Sequence, residues 1–296
     1  MTEVITSPSN PKIKRLLALQ QKSSARREAG LFVVEGQREL QHCIDAGFDI
    51  DTIFVCTSLG GGAPLQNFAL RAHPSPPDGW APPVHEATGG HGFAGEASAL
   101  AASQTKVFEV TPEVYAKIAM REGTEGIMAE VRTPERKLAD LELPEKPLVV
   151  VLESVEKPGN LGAVLRSADA AGADAVLICD PLTDLWNPNL IRASIGAVFT
   201  VPCVACSSAE AIAFLKARGI HILTAQLQDS SLYYDCDMTG GTAIVMGTEA
   251  TGLTPVWREA ADAHIRIPML GRLDSLNVSV SAAILLFEAV RQRQNG

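Results

Sequence analysis

The sequence lacks several features that would place it in familiar protein classes. Acidic side chains outnumber basic ones, 34 to 25, and the formal charge is −9, so no cationic coat for nucleic acid covers the whole chain. The longest apolar runs, at 148–152 and 282–287, fall far below the roughly 18 residues of a membrane span. The start, MTEVITSPSN, has neither a positive nor an apolar segment, so no secretory signal is expected.

Cysteine is also too sparse for a disulfide framework. The six cysteines are at positions 43, 56, 179, 203, 206 and 236. Cys203 and Cys206 form one C-x-x-C on an apolar stretch with no second pair at zinc spacing, which indicates core packing and no metal site. Hydrophobic residues make up 46% of the chain, enough for a sizeable core. We expect a soluble, cytoplasmic protein.

Basic side chains are concentrated near the start of the chain. Residues 1–30 hold six of them against Glu3 and Glu28, a local excess of four. Two interpretations remain open: a solvated amphipathic helix, or an arm that binds nucleic acid by displacing counterions from its phosphates. The candidate RNA-contacting residues are Lys12, Lys14, Arg15, Arg26 and Arg27.

Two breaks in the pattern predict the domain organisation. Residues 58–104 contain eight glycines, six prolines and only four charged side chains, which indicates a surface insertion without regular structure. The acidic, proline-punctuated run 133–147 indicates a linker. We therefore predict a smaller α/β domain over 1–137, a linker over 138–146 and a second domain over 147–296.

From Leu148 onward, short apolar strands alternate with helices. Strands are predicted at Leu148–Leu152 and Ala175–Cys179, with helices at Leu161–Ala171 and Asn189–Val198 and a long last helix at Leu276–Arg293. Such alternation is typical of an α/β domain with a mostly parallel sheet. The P-loop, dinucleotide-binding and nucleophile-elbow motifs do not occur.

Three segments that follow predicted strands carry polar side chains, at the positions where open α/β sheets bind ligands. The first runs Glu156-Lys157-Pro158-Gly159-Asn160-Leu161-Gly162 and leads into Arg166. Asn160 is suited to cap the helix that follows. Arg166 lies off the apolar stripe of that helix, so its guanidinium is either solvated or directed at an anionic substrate.

The second segment is Met246-Gly247-Thr248-Glu249-Ala250-Thr251-Gly252-Leu253, in which two glycines flank one acid. An ordinary turn has this composition, but so does a loop that lets a ligand approach the backbone while Glu249 reaches a hydroxyl. The third segment is Ile267-Pro268-Met269, followed by Asp274-Ser275-Leu276-Asn277-Val278-Ser279. There Ser275 can cap the last helix, and Asn277 is placed to face the same pocket.

In this order and spacing, the three segments resemble the signature motifs of the TrmH/SpoU branch of the SPOUT RNA methyltransferases. The resemblance implies S-adenosylmethionine as methyl donor, a ribose 2′-hydroxyl as acceptor, a homodimer, and a deep trefoil knot in an α/β domain with a parallel sheet. The N-terminal part, with Ile5–Leu16, Glu35-Gly36 and Gly126–Val131, is similar to the substrate-binding domain that often precedes this catalytic domain. That domain has the α/β fold of certain RNA-binding ribosomal proteins.

The resemblance also implies where the cofactor lies. Backbone groups of Gly247, Ile267 and Leu276 would hold its adenine and ribose, and Met269 and Leu253 would form apolar walls. The catalytic set that the resemblance implies is Asn160, Arg166, Glu249, Ser275 and Asn277, all present in this chain.

The family proposal that the arginine is the base conflicts with a guanidinium pKa above about 12. We prefer Arg166 as the group that binds the neighbouring phosphate and stabilises developing alkoxide charge, with the proton relayed through phosphate or water. Glu249 and Asn160 would orient Arg166 or the ribose. Ser275 and Asn277 would shape the knot and bind substrate.

Three functions remain open. The separate N-terminal domain favours rRNA as the substrate of a ribose 2′-O-methyltransferase, because a dedicated recognition domain suits a structured ribosomal target. A tRNA methyltransferase is the second hypothesis. The third is a non-catalytic RNA-binding assembly factor that keeps the fold, which the intact catalytic set disfavours.

Overall fold

A computed structural model describes residues 3–60, 105–121, 125–248 and 251–295. These residues form two compact units, one ending at residue 133 and the other beginning at residue 134. Nearly all of the predicted insertion lies outside the described residues. So does Glu249.

The first unit is built on a five-stranded mixed sheet in the order β1-β4-β3-β5-β2, in which β5 is antiparallel to both neighbours. The strands are β1 (Glu3–Ile5), β2 (Leu31–Glu35), β3 (Ile50–Val55), β4 (Lys106–Val110) and β5 (Ile127–Arg132), and the helices are α1 (Pro11–Gln21), α2 (Ser23–Ala29), α3 (Gln37–Asp45) and α4 (Pro112–Ile118). Asn10 caps α1, whose Ile13, Leu16 and Leu19 are buried in the core of this unit. The short strand β1 was not predicted.

The second unit is built on a seven-stranded sheet in the order β10-β12-β9-β11-β6-β7-β8, and every pair is parallel. The strands are β6 (Leu148–Glu153), β7 (Ala175–Cys179), β8 (Cys203–Cys206), β9 (His221–Ala225), β10 (Ser231–Leu232), β11 (Thr242–Met246) and β12 (Ala263–Arg266). The helices are α5 (Pro158–Ala170), α6 (Pro188–Ser194), α7 (Ala197–Thr200), α8 (Ser208–Ala217), α9 (Pro255–Ala260) and α10 (Val278–Asn295). The predicted parallel α/β domain is therefore confirmed, while the trefoil knot stays a prediction.

Close helix packing positions the start of α5 at the sheet edge. A Cβ atom at Gly162 would lie 2.6 Å from Cβ of Ala193, so only glycine allows α5 to approach α6 this closely. Helix α10 packs against α5 and against β11. The first turns of α5 and α10 thereby lie near the carboxyl ends of β6 and β11.

Two local predictions are corrected or refined. The helix predicted at Asn189–Val198 is broken at Ile195, whose φ of 55° is left-handed, so α6 and α7 are separate helices. Cys203 is buried, as core packing predicts, and Cys206 is half-buried. The Sγ atoms of Cys206 and Cys179 are 3.9 Å apart, and this contact together with burial raises the pKa of the Cys179 thiol.

Within the described ranges, no group of three or more His, Cys, Asp or Glu side chains could hold a metal ion. No described helix is both long and apolar enough to cross a bilayer.

Arg293 anchors the last turn of α10 to two other segments of the second unit. Its guanidinium donates to four backbone carbonyl oxygens at 2.7–3.0 Å, those of Lys146, Pro147, Met238 and Gly240. Lys146 and Pro147 precede β6, and Met238 and Gly240 precede β11. One side chain therefore holds the two segments that lead into these central strands.

We expect Arg293→Ala to lower the free energy of unfolding by about 2 kcal/mol or more, because partly buried carbonyls lose their donors. Urea unfolding followed by circular dichroism measures this. Arg291→Ala is the matched control on the same helix, since Arg291 is exposed and pairs with Glu288 nearby on the helix. Equal losses in the two variants would contradict the anchoring role.

Candidate functional site

A cavity of about 610 Å³ lies at the carboxyl ends of β9, β11 and β12. Ligands of open parallel sheets bind at this edge. The five residues proposed to hold the cofactor all line the cavity: Gly247, Leu253, Ile267, Met269 and Leu276. Residues that are distant in sequence thus meet in one place, as the resemblance implies.

The lining of this cavity combines apolar walls with a few polar groups. Leu253, Met269 and Leu276 supply the apolar part. Asp274 and Gln226 add a carboxylate and an amide, and Gln226 Oε1 has no hydrogen-bond partner among the described residues. The volume and lining of the cavity match those of sites for ligands the size of a nucleoside.

The loop that follows β11 folds back on itself, so that Gly252 near its end contacts Gly247 and Thr248 at its start. Cβ of any larger residue at Gly247 would lie 2.3 Å from the carbonyl carbon of Gly252. The φ of Gly252 is 68°, in the left-handed region, so both glycines are required by the backbone. Thr248 and Gly252 form an isolated bridge, and Thr251 N–H donates to Thr248 Oγ1 at 3.0 Å.

A smaller cavity of about 110 Å³ adjoins the first. Glu156 and Lys157, which precede α5, line it together with Asn160 from the first turn of that helix. Gly247, Thr248 and Val278 line both cavities. The first predicted segment therefore borders the space that the other two segments enclose.

One side-chain hydrogen bond joins the first and third segments. Asn277 Nδ2 donates to Asn160 Oδ1 at 3.2 Å, while Asn277 Oδ1 accepts from Ser279 N–H at 3.0 Å. The capping predictions are corrected here: Lys157 rather than Asn160 precedes α5, and Asn277 rather than Ser275 caps α10. Asn160 lies inside the first turn of α5, so its side chain reaches Asn277.

The remaining predicted catalytic residues are not all brought together. Ser275 lines the larger cavity and donates to Asp274 Oδ1 at 3.3 Å. Arg166 is exposed on α5 and lines neither cavity. Glu249 belongs to the loop described above but is itself outside the described residues.

Sequence reasoning missed other residues of the larger cavity, including Gln226 and Arg258. Gln226 directly follows β9, and its position after a parallel strand was the available signal. Arg258 lies on α9, a helix that the sequence pattern did not predict, so it carried no comparable signal.

Comparison with known proteins agrees with this geometry. Residues 147–287 match the model of the SpoU rRNA Methylase family. A 23S rRNA (guanosine-2′-O-)-methyltransferase RlmB from Pseudomonas putida is 38% identical over 178 residues, which are 57% of this chain and 71% of that protein. The chain belongs to the SpoU rRNA methylase family.

Two solved structures resemble the chain over 98% of its length. An RNA 2′-O ribose methyltransferase has a TM-score of 0.76 at 35% identity, covering 98% of this chain and 99% of that one. An AdoMet-bound rRNA methyltransferase from Sinorhizobium meliloti has a TM-score of 0.80 at 27% identity, with 98% of each chain covered. Residues 10–73 match the MRM3-like substrate binding domain.

The basic residues predicted in the N-terminal unit fall into two groups. Arg26 is buried and donates to the carbonyl oxygens of Leu19 and Gln20. Its guanidinium therefore supports the fold, and the prediction that Arg26 contacts RNA is corrected. Lys12 pairs with Glu3.

Arg15 pairs with two carboxylates, those of Asp51 and Glu130. Burial raises the pKa of Glu130, an effect that Arg15 partly offsets. Lys14 and Arg27 are exposed, and among the described residues neither has an acidic partner.

We expect Gly247→Ala to abolish binding of an adenosyl ligand, because the added methyl group would overlap the backbone at Gly252 and displace the cavity wall. Isothermal titration with S-adenosylhomocysteine measures this. Gly240→Ala is the control, since a Cβ there meets nothing within 4 Å. Unchanged affinity in Gly247→Ala would show that the loop does not form the ligand site.

Proposed function

We propose that this protein transfers a methyl group from S-adenosylmethionine to the ribose 2′-hydroxyl of a nucleotide in 23S rRNA. The observation that carries the proposal is the convergence of the second and third segments on one cavity, with the first segment bordering the adjoining space. Family membership and the activities named for RlmB and the other relatives support it.

The larger cavity fits the cofactor in size and chemistry. When bound, S-adenosylmethionine supplies an electrophilic methyl group on a sulfonium. Backbone groups of Gly247, Ile267 and Leu276 would hold its adenosine, and Leu253 and Met269 would cover the apolar faces. The carboxylate of Asp274 lies in the same lining and suits the polar part of the ligand.

The smaller cavity suits the acceptor ribose. Asn160 lines it and is held by Asn277, so its amide is fixed beside the hydroxyl that must lose a proton during attack. Arg166, exposed on the same helix, is free to bind the phosphate next to that ribose and to stabilise developing alkoxide charge. We assign Glu249 an orienting role toward Arg166 or the ribose. Ser275 completes the wall on the cofactor side.

The choice of rRNA over tRNA rests on the N-terminal unit and on the relatives. Residues 10–73 match a substrate-binding domain model, and the full-length structural relatives include an enzyme named as an rRNA methyltransferase. Such a target places the reaction in the cytoplasm. A tRNA methyltransferase and a non-catalytic assembly factor are the alternatives.

We propose further that the protein acts as a homodimer. Leu270 and Leu273 are 98% and 76% exposed, and Val280 and Phe287 are 47% and 49% exposed, seven residues apart on α10. Large apolar side chains concentrated on one helix and the loop before it are typical of a self-association surface.

Methyl transfer from radiolabelled S-adenosylmethionine to unmodified rRNA and to total tRNA, assayed separately, tests the proposed function. We expect label only in rRNA, recovered as a 2′-O-methylnucleoside after digestion. Label in tRNA alone would contradict rRNA as the substrate but would support the proposed methyl transfer. Absence of label together with absence of cofactor binding would favour the binding-protein alternative.

We expect Arg166→Ala to lower kcat at least a hundredfold while the Kd for S-adenosylmethionine stays within about twofold, because the guanidinium acts on the substrate side. Single-turnover kinetics and calorimetry measure the two quantities. Arg218→Ala, which removes another arginine that lines neither cavity, serves as the control. Near-normal turnover of Arg166→Ala with normal RNA binding would exclude the catalytic role.

We expect Lys14→Glu combined with Arg27→Glu to weaken RNA binding several-fold and to reduce its salt dependence, because phosphate contacts release counterions. Filter binding at two salt concentrations measures this, and cofactor affinity should not change. Point substitutions are used here because Ile5, Ile13 and Leu16 belong to the core, so deletion of this segment would also disrupt the fold. Unchanged RNA affinity would exclude a role for these basic residues in RNA binding.

A further inference from the structure

Glu153 is a buried carboxylate that the proposed catalytic and cofactor-binding residues do not include. It is the last residue of β6 and is 2% exposed. Within the described residues no lysine or arginine nitrogen lies within 4 Å of it, and its hydrogen-bond donors are hydroxyl and backbone groups. An unpaired buried carboxylate is costly, and an apolar residue would pack at lower cost, so its presence calls for a specific function.

Its two main donors come from one residue, Thr254. Thr254 N–H donates to Glu153 Oε2 at 2.8 Å, and Thr254 Oγ1 donates to Glu153 Oε1 at 2.5 Å. Thr254 occupies the N-cap position of α9, where a threonine hydroxyl normally accepts from the helix backbone. That capping bond is absent here, so the hydroxyl serves the carboxylate and not the helix.

Thr254 directly follows the loop that walls the larger cavity. The loop begins at Gly247, touches itself again at Gly252 and ends in the buried Leu253. All three residues line the cavity. The hydrogen bonds that hold Thr254 therefore also hold the end of this loop, where α9 begins.

A second contact holds the other side of α9 through Ser208, whose hydroxyl lies 3.4 Å from Glu153 Oε1 but is closer to Asp180. Trp257 Nε1 donates to Ser208 Oγ at 2.9 Å, and Ser208 Oγ donates to Asp180 Oδ2 at 2.6 Å. Trp257 is fully buried in the core of the second unit. Because α9 keeps this anchor, loss of the Glu153 contact should release the loop without unfolding the helix.

We propose that Glu153 is a positioning residue for the cofactor: through Thr254 it holds Gly252 and Leu253 against Gly247 and thereby sets the shape of the cofactor cavity. The inference rests on the proposed function for the identity of the ligand. It concerns a residue that does not touch the ligand itself.

Glu153→Gln and Thr254→Val test the proposal by calorimetry with S-adenosylmethionine. We expect each to raise the Kd at least tenfold, and the double variant to be no worse than either single one, because both disrupt the hydrogen bond between Thr254 Oγ1 and the Glu153 carboxylate. Thr254→Ser keeps the hydroxyl and should bind nearly as the wild type does. Glu130→Gln, a buried carboxylate of the first unit, is the control and should leave the Kd unchanged.

A steady-state split separates positioning from a general loss of structure. For Glu153→Gln we expect a raised KM for S-adenosylmethionine, with kcat and the KM for RNA within about twofold of wild type. A folded Glu153→Gln variant with wild-type cofactor affinity, or additive effects in the double variant, would overturn the proposal.

Amide hydrogen exchange of the free protein gives a readout that does not depend on the ligand. We expect peptides covering 247–260 to exchange faster in Glu153→Gln than in wild type, and no change in the first unit. Equal exchange in the two proteins would overturn the positioning role. If wild-type protein failed to bind S-adenosylmethionine, the proposed function would fall, and the exchange result would still decide whether Glu153 holds the loop.

Discussion

The in-register parallel pairing of β6 with β11 is the constraint on which the site depends. Leu152 of β6 is paired with Met246 of β11, so the two strands end side by side. One strand ends at Glu153 and leads to the start of α5, and the other leads into Gly247 and the loop that follows. Because a parallel ladder fixes both ends at once, a one-residue slip would move these groups to opposite faces of the sheet. Two segments separated by almost 100 positions in the sequence are thus held as neighbours.

Side-chain hydrogen bonds then hold the last helix, α10, in place next to these two strands. Asn277 caps α10 with its oxygen and holds Asn160 with its nitrogen, so a single amide sets both the last helix and the acceptor side of the site. Arg293 ties the far end of α10 to the segments that precede β6 and β11. The last helix is thereby attached at one end to α5 and at the other end to the segments that lead into β6 and β11.

The sequence was sufficient for the parts of the molecule that depend on local pattern. Apolar runs such as Leu148–Leu152 predict strands of the parallel sheet, and the glycines at 247 and 252 indicate a loop that a ligand can approach closely. Strand order could not be predicted from periodicity, because β12 lies beside β9 while β11 lies between β9 and β6. The buried state of Arg26 and the contacts of Glu153 were equally inaccessible, since both depend on partners supplied by the tertiary fold.

A crystal structure of the full chain with S-adenosylhomocysteine tests the central claim most directly. We expect the ligand in the cavity lined by Leu253, Met269 and Leu276, with its sulfur directed toward the smaller cavity beside Asn160. A ligand bound elsewhere on the second unit, with this cavity empty, would contradict the assignment of the three segments to cofactor and acceptor binding.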